Sequence, residues 1–275
     1  MANAPKPTMA KKENSKGSGI FAGLAIVICL VIGWTLFLFV MGNGSNFEGG
    51  DNTGHPLPGN YFGMVYKGGY IVPFLMSMFL MVIVFSIERF LVIGKAAGVG
   101  NVDAFVRKVQ SLLSASNVDA AISECDKQKG SVAAVIKSGL IKYKEVESDT
   151  VMDTEQKCLA IQKDIEEATA LEMPMLEQNL TIIATLVSVG TLGGLLGTVT
   201  GMIKAFAGLA TAGAPDQAQL ANGISEALIN TATGISTSLL AVIAYNFFTS
   251  KIDSLTYSID EAGFSIVQTY AATHR

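Results

Sequence analysis

Residues 20–41 run for 22 positions without a charged side chain. At about 1.5 Å per residue, a helix of that length crosses a hydrocarbon core near 30 Å thick. Lipid offers the backbone no hydrogen-bond partners, so such a segment satisfies its own amides and carbonyls as a helix. Lys11, Lys12 and Lys16 precede it, as they would a secretory signal. Its apolar stretch nevertheless exceeds the roughly 7 to 15 residues of a signal core, and it reads as a retained span. Residues 70–94 form a second span, apolar through Ile87 and followed by Glu88-Arg89, a charged pair suited to an interface. From 179 to 250 the only charges are Lys204, Asp216 and Glu226. That region predicts a hairpin of two long helices, from about 176 to 209 and from about 216 to 250. Their membrane parts are 179–210 and 223–250, joined by a turn at 211–222, with Asp216 as the N-cap of the second.

The remaining segments are of a different kind. Residues 42–69 are rich in Gly, Asn and Pro, which is loop chemistry, and Lys67 is their only cation. Residues 95–178 carry ten lysines or arginines mixed with acids and show apolar stripes at helical spacing. One stripe is Val102, Phe105, Val106, Val109, Leu112 and Leu113; a second is Val132, Val135, Ile136, Leu140 and Tyr143. A third runs through Cys158, Ile161, Ile165, Ala168, Leu171 and Met175, with Pro174 set to kink or interrupt the helix. The fold class is therefore all-α: a polytopic membrane protein with four predicted transmembrane helices, two of them long, and a small helical domain at 95–178. With 15% charged residues, the chain lies well below the roughly 25% of soluble domains.

Orientation follows from the cations. There are four before residue 20, one in 42–69, ten in 95–178, none in 211–222 and two after Ser250. The alternation places the tail 1–19, the domain 95–178 and the tail 251–275 in the cytoplasm, and the loops 42–69 and 211–222 outside.

Several function classes are disfavoured. The chain has no basic block and no nucleic-acid-binding module pattern. Cys29, Cys125 and Cys158 fit neither a zinc site nor a redox pair, and they read as small buried hydrophobes. His55 falls in the loop and His274 at the penultimate position, so no histidine lies within a span to build a triad. Gly223-Ile224-Ser225-Glu226-Ala227 lacks the second glycine of a G-x-S-x-G elbow. No metal, cofactor or enzymatic activity is expected.

The hairpin carries the informative residues. Gly193, Gly197 and Gly201 recur at four-residue spacing, alongside Gly190 and Gly194, and such spacing lets another helix approach closely. Around the second helix Asn222, Glu226, Asn230, Thr233 and Thr237 project within about 40° of Glu226, forming a polar stripe along an otherwise apolar helix. Exposing that stripe to lipid would cost several kcal/mol at Glu226 alone, so it must face a protein interface or a hydrated cavity. Thr231 projects to a different face. A turn near Gly213 brings Lys204 within reach of Glu226 as an ion pair. An ionisable residue in a threonine-lined path points to an ion or proton route, and a structural ion pair is the alternative.

Leu195-Leu196-Gly197-Thr198-Val199-Thr200-Gly201-Met202-Ile203, followed by Gly223-Ile224-Ser225-Glu226-Ala227-Leu228-Ile229-Asn230-Thr231-Ala232-Thr233-Gly234, strongly resembles the ExbB/TolQ/MotA proton-channel family, closest to ExbB. Lys67-Gly68-Gly69 with Pro73, Ser77 and Glu88-Arg89-Phe90 resembles the preceding span of that family, so the likeness covers about residues 65–250. Two departures stand out. Thr191 occupies a position where family members commonly have proline, and the span 20–41 with its loop is additional to the usual three-span plan.

The resemblance implies an inner-membrane homo-oligomer, a pentamer in ExbB. It would surround the single spans of an ExbD-like partner, and proton flow would drive work on a TonB-like envelope protein. Thr198 and Thr231 would face the partner's aspartate, and Glu226 would support or relay protons. Membrane lipid would be the remaining contact. The runners-up are a TolQ-like envelope or motility stator and a non-conducting membrane scaffold.

Overall fold

The computed structural model describes residues 15–211 and 217–274. The elements in chain order are α1 (Ser15–Thr35), a π-helical turn (Leu36–Met41), α2 (Tyr61–Tyr66), α3 (Val72–Ala97), α4 (Val102–Ser114), α5 (Val118–Gln128), α6 (Gly130–Glu147), α7 (Thr154–Glu177), α8 (Leu180–Thr211) and α9 (Gln217–Thr273). Among the described residues there is no strand beyond one isolated bridge, Phe47 to Pro56. Four helical stretches are long and apolar enough to cross a bilayer: Gly19–Met41, and segments within Val72–Ser114, Thr154–Gly208 and Gln219–Thr273. They leave large apolar side chains exposed, such as Leu24 and Val31 on α1, Leu192 and Ile203 on α8, and Leu228 and Leu239 on α9. A soluble domain would bury such surface; a lipid-facing one does not. The expected fold class is the observed one.

The contacts divide the chain into two compact units, residues 1–84 with 185–241 and residues 85–184 with 242–275. In the first, α1 lies against α3. Gly33 admits the α3 backbone, since a Cβ there would come within 3.0 Å of the Pro73 carbonyl and 3.1 Å of the Ser77 nitrogen. Trp34 meets Phe74 edge-on at 5.4 Å. The loop 42–69 is more ordered than its composition suggests, because its asparagines supply the hydrogen bonds that a strand or helix would otherwise provide. Asn46 is buried and donates to the carbonyls of Val40 (2.8 Å) and Met41 (3.1 Å), which end the π-helical turn. Asn60 donates to Asn46 (3.0 Å) and caps α2. Lys67 donates to the carbonyls of Asn52 (3.0 Å) and Thr53 (3.1 Å) and stands 5.4 Å from the Phe47 ring centroid. Tyr66 stacks on Phe37 at 4.8 Å.

The second unit is a helical assembly. Asn101 and Asn117 cap α4 and α5, and Asp153 with Gln156 forms a capping box on α7. The first stripe buries Phe105, Val106, Val109 and Leu113, and all five members of the second are buried. Gly139 sits where a Cβ would lie 2.5 Å from Ile165. The Cys125 thiol is pushed up to about 12 by burial, which leaves it inert as a nucleophile.

Three expectations are corrected. The third apolar stripe loses phase after Ile165: Leu171 is 81% exposed and Met175 46%, whereas Leu176 is buried. At 100° per residue Leu176 projects within about 20° of Ile165 and Leu171 about 120° away, so the apolar count followed the wrong period. Pro174 does not end its helix, which continues to Glu177; the break comes at Asn179, with φ of 63°. Arg89, itself buried, anchors that break. It donates to the carbonyls of Met175 and Leu176 (3.1 Å each) and pairs with Glu88, which accepts from Asn179 (3.3 Å). Finally, helix α9 does not stop near Ser250. Ile252, Leu255, Ile259, Ala262, Ile266 and Tyr270 continue a buried face at helical spacing, and the helix runs to Thr273 through the change of composition at Ser250. Residues 217–222 of the expected turn are helical; Asp216 and residues 212–215 lie outside the described residues.

Candidate functional site

Helices α8 and α9 meet through glycine. A Cβ on Gly234 would fall 2.5 Å from the Gly190 carbonyl oxygen and 2.7 Å from the Gly194 Cα. One on Gly194 would fall 3.2 Å from the Gly234 Cα, and one on Gly201 would fall 2.8 Å from the Ala227 nitrogen. These obstacles are backbone and cannot yield. Of the expected row, Gly197 and Gly201 face α9, whereas Gly193 turns to α3, where a Cβ would lie 2.9 Å from Leu75. Gly190 and Gly194 complete the contact. With the backbones this close, short polar side chains on either helix reach the other.

Two polar groups result. In the first, the Thr198 and Thr231 hydroxyls are in direct contact across the helix pair. Each also lies within hydrogen-bond reach of a carbonyl of its own helix, Gly194 for Thr198 (3.1 Å) and Ala227 for Thr231 (3.0 Å). A hydroxyl has one proton, so one threonine donates across the interface while the other donates to its carbonyl, and the pair can reverse that polarity. Both side chains are half-buried.

The second group lies on another face of α9, since Thr231 is about 140° around the helix from Glu226. Lys204 Nζ stands 2.5 Å from Glu226 Oε1, with the lysine side chain 57% exposed and the glutamate 12%. Gly69, at φ of 78°, presses its backbone onto the same carboxylate. One turn on, Asn230 is fully buried and donates from Nδ2 to the Gly68 carbonyl at 2.9 Å. Thr233 donates to Ile229 (2.8 Å), and the buried Thr237 donates to Thr233 (2.9 Å). Asn222 is exposed. The stripe thus faces the chain's own Gly68–Gly69 turn over its middle. Thr198, Glu226 and Thr231 do not converge on one point.

Two features were not legible in the sequence. The turn at Gly68–Gly69 joins the site from 160 residues away, and nothing in local spacing announces it. Thr191, at the position where proline is common in the resembling family, donates to Ser238 (2.8 Å), which donates to the Val187 carbonyl (2.6 Å). Helix α8 remains α-helical through this position. The described residues contain no cluster of three or more His, Cys, Asp or Glu suited to a metal ion.

Four apolar spans and a close glycine-mediated helix pair with hydroxyls and an ion pair on it define a multi-pass membrane protein with polar groups set between its spans. Residues 128–261 match the MotA/TolQ/ExbB proton channel family, and through this region the chain is similar to its members. It is 33% identical over 124 residues to the Tol-Pal system protein TolQ of Pseudomonas aeruginosa, covering 45% of this chain and 54% of that one. It is 38% identical over 84 residues to TolQ of Haemophilus influenzae (30% and 37%). The biopolymer transport protein ExbB of Xanthomonas campestris is 34% identical over 94 residues (34% and 37%). The chain thus spans about half, or less, of the length of these relatives. TolQ and ExbB proteins match alike, so the comparison does not single out ExbB. The matched family is one of proton channels, and together with the four apolar helices it indicates a multi-pass protein of the bacterial inner membrane.

The close packing yields a direct expectation. Gly234→Ala sets a methyl against the backbone of Gly190 and Gly194, which can only part the helices, at about 1 to 3 kcal/mol for overpacking. Thermal melting of the purified protein is expected to fall, whereas Gly23→Ala, inside α1 with open space around it, is expected to leave melting unchanged or raise it.

Proposed function

We propose that this chain is the channel-forming subunit of an ExbB/TolQ-type energiser, which uses the proton-motive force to drive work in the cell envelope. The single observation that carries the reading is the hydroxyl pair Thr198–Thr231, set between two glycine-packed spans. A reversible hydroxyl pair offers a proton both a donor and an acceptor along a route that is otherwise apolar. The Lys204–Glu226 pair adds a compensated charge on the neighbouring face, so the membrane interior need not bear a lone carboxylate.

In this reading several copies, five on the ExbB plan, ring the single spans of an ExbD-like partner, and a TonB-like protein receives the work. A TolQ-like role in another envelope process is the nearest alternative, and the identity to TolQ proteins favours it as much as ExbB. A non-conducting scaffold is the reading that Lys204–Glu226 would support if that pair only held helices together. Residues 1–19, 95–178 and 251–275 are assigned to the cytoplasm from the cation count, and 42–69 and 211–222 to the opposite side.

Thr198→Val and Thr231→Val keep shape and remove the hydroxyl. Each is expected to assemble at wild-type yield and to abolish envelope work in cells carrying the complete complex. Normal work in both variants would make these positions packing residues and sink the channel reading. For orientation, a reporter active only in the cytoplasm is expected to be active when fused after Gly130 and silent after Gly50; activity after Gly50 would overturn the assigned topology.

A further inference from the structure

Asn230 is an uneconomical residue to bury. It is fully inaccessible, and its Oδ1 has no hydrogen-bond partner among the described residues. An amide oxygen in that condition costs stability, and an apolar side chain of similar volume would not incur the cost. Room is nevertheless made for it: a Cβ on Gly197 would come within 2.6 Å of Asn230 Cγ. What Asn230 does is donate from Nδ2 to the carbonyl of Gly68. Gly68 is followed by Gly69 in the left-handed region, whose virtual Cβ lies 2.5 Å from Glu226 Oε1 and 3.0 Å from its Cδ. That conformation favours glycine, and a side chain there would have to displace the Glu226 carboxylate.

These contacts form a chain of dependence: Gly197 admits Asn230, Asn230 holds Gly68, and Gly68 fixes Gly69 against the Glu226 carboxylate, whose Oε1 also accepts from Lys204. We propose that Asn230 is a positioning residue that clamps the Gly68–Gly69 turn over Glu226, so that this backbone turn governs the access of water and protons to the carboxylate from the loop side. The function given to that access rests on the ion-route reading above; the clamp itself does not.

The turn's remaining hydrogen bonds are local. Gly68 and Gly69 donate to the carbonyls of Val65 and Tyr66, and Val72 donates to Gly69. Those bonds shape the turn without tying it to α9. Asn230 supplies the tie.

The test uses the full chain in native membranes. Glu226 is labelled with a water-soluble carbodiimide and glycine ethyl ester, read by mass spectrometry and normalised to the exposed Glu167. Asn230→Leu keeps the number and branching of the side-chain heavy atoms and lacks the donor; Asn230→Ala removes both. Each assembled variant is expected to label Glu226 roughly fivefold faster than wild type, the change that losing one hydrogen bond of ordinary net strength gives. Amide hydrogen exchange across residues 66–72 should accelerate by a like factor, with exchange in α4–α6 unchanged. Labelling and exchange at wild-type rates in an assembled variant would overturn the clamp, as would failure of both variants to assemble, which would make Asn230 a packing residue. If the labelling changes as expected while Thr198→Val and Thr231→Val work normally, the clamp stands and the ion-route reading falls.

Discussion

Helices α8 and α9 touch backbone to backbone at Gly190, Gly194 and Gly234, and the polar features of the hairpin depend on that approach. Threonine hydroxyls extend only a short way from the helix axis. At the 8 to 10 Å separation of helices packed through larger side chains, Thr198 and Thr231 could not meet, and each hydroxyl would be left to its own carbonyl. The glycines thus set the distance scale on which a hydroxyl pair, an amide clamp and an ion pair can operate within one interface. In lipid there is no apolar gain from bringing helices together, so close van der Waals contact is what holds such a pair.

Several hydroxyls along the membrane part of α9 are satisfied within the helix. Thr231, Thr233, Ser236 and Thr237 each lie within reach of the carbonyl four residues earlier. That arrangement lets a polar stripe exist in an apolar environment at low cost, and it leaves the side chains free to exchange partners. Asn230 and Glu226 differ: their partners come from other elements, the Gly68–Gly69 turn and Lys204. Disturbing either is felt outside α9. The loop 42–69, ordered by Asn46, Asn60 and Lys67, leads directly into that turn, so the first span and its loop are coupled to the hairpin through ordinary hydrogen bonds.

The four spans were legible because charge is absent over lengths that only a membrane explains, and the buried stripes of α4 and α6 because their period holds. Less was legible where local pattern and tertiary environment part. Leu171 and Met175 continue an apolar count but leave the buried face. Ser250 to Lys251 marks a change of composition inside one helix of 57 residues. Pro174 is a strong local signal, yet the break belongs to Asn179 and to Arg89, which reaches in from a segment 86 residues earlier. At the site, the faces of Thr231 and of Glu226 with Asn230 follow from helical geometry alone. That Gly68 and Gly69 would cover the Glu226 face does not, because the contact is long-range and carried by backbone.

The central claim is that the polar groups of this hairpin carry ions and do not merely hold helices together, and Glu226 divides the two accounts. A fully buried ion pair loses about 3 to 5 kcal/mol when one partner is removed. Here the pair is not fully buried, since Lys204 is 57% exposed, and neutralising Glu226 should cost assembly much less. The deciding measurement is oligomer yield together with envelope work for Glu226→Gln, Lys204→Met and the double variant. The account predicts that Glu226→Gln assembles near wild-type yield and loses most of the work, and that Lys204→Met does not restore it. Loss of the oligomer in Glu226→Gln with rescue by the double variant, or normal work in Glu226→Gln, would contradict it.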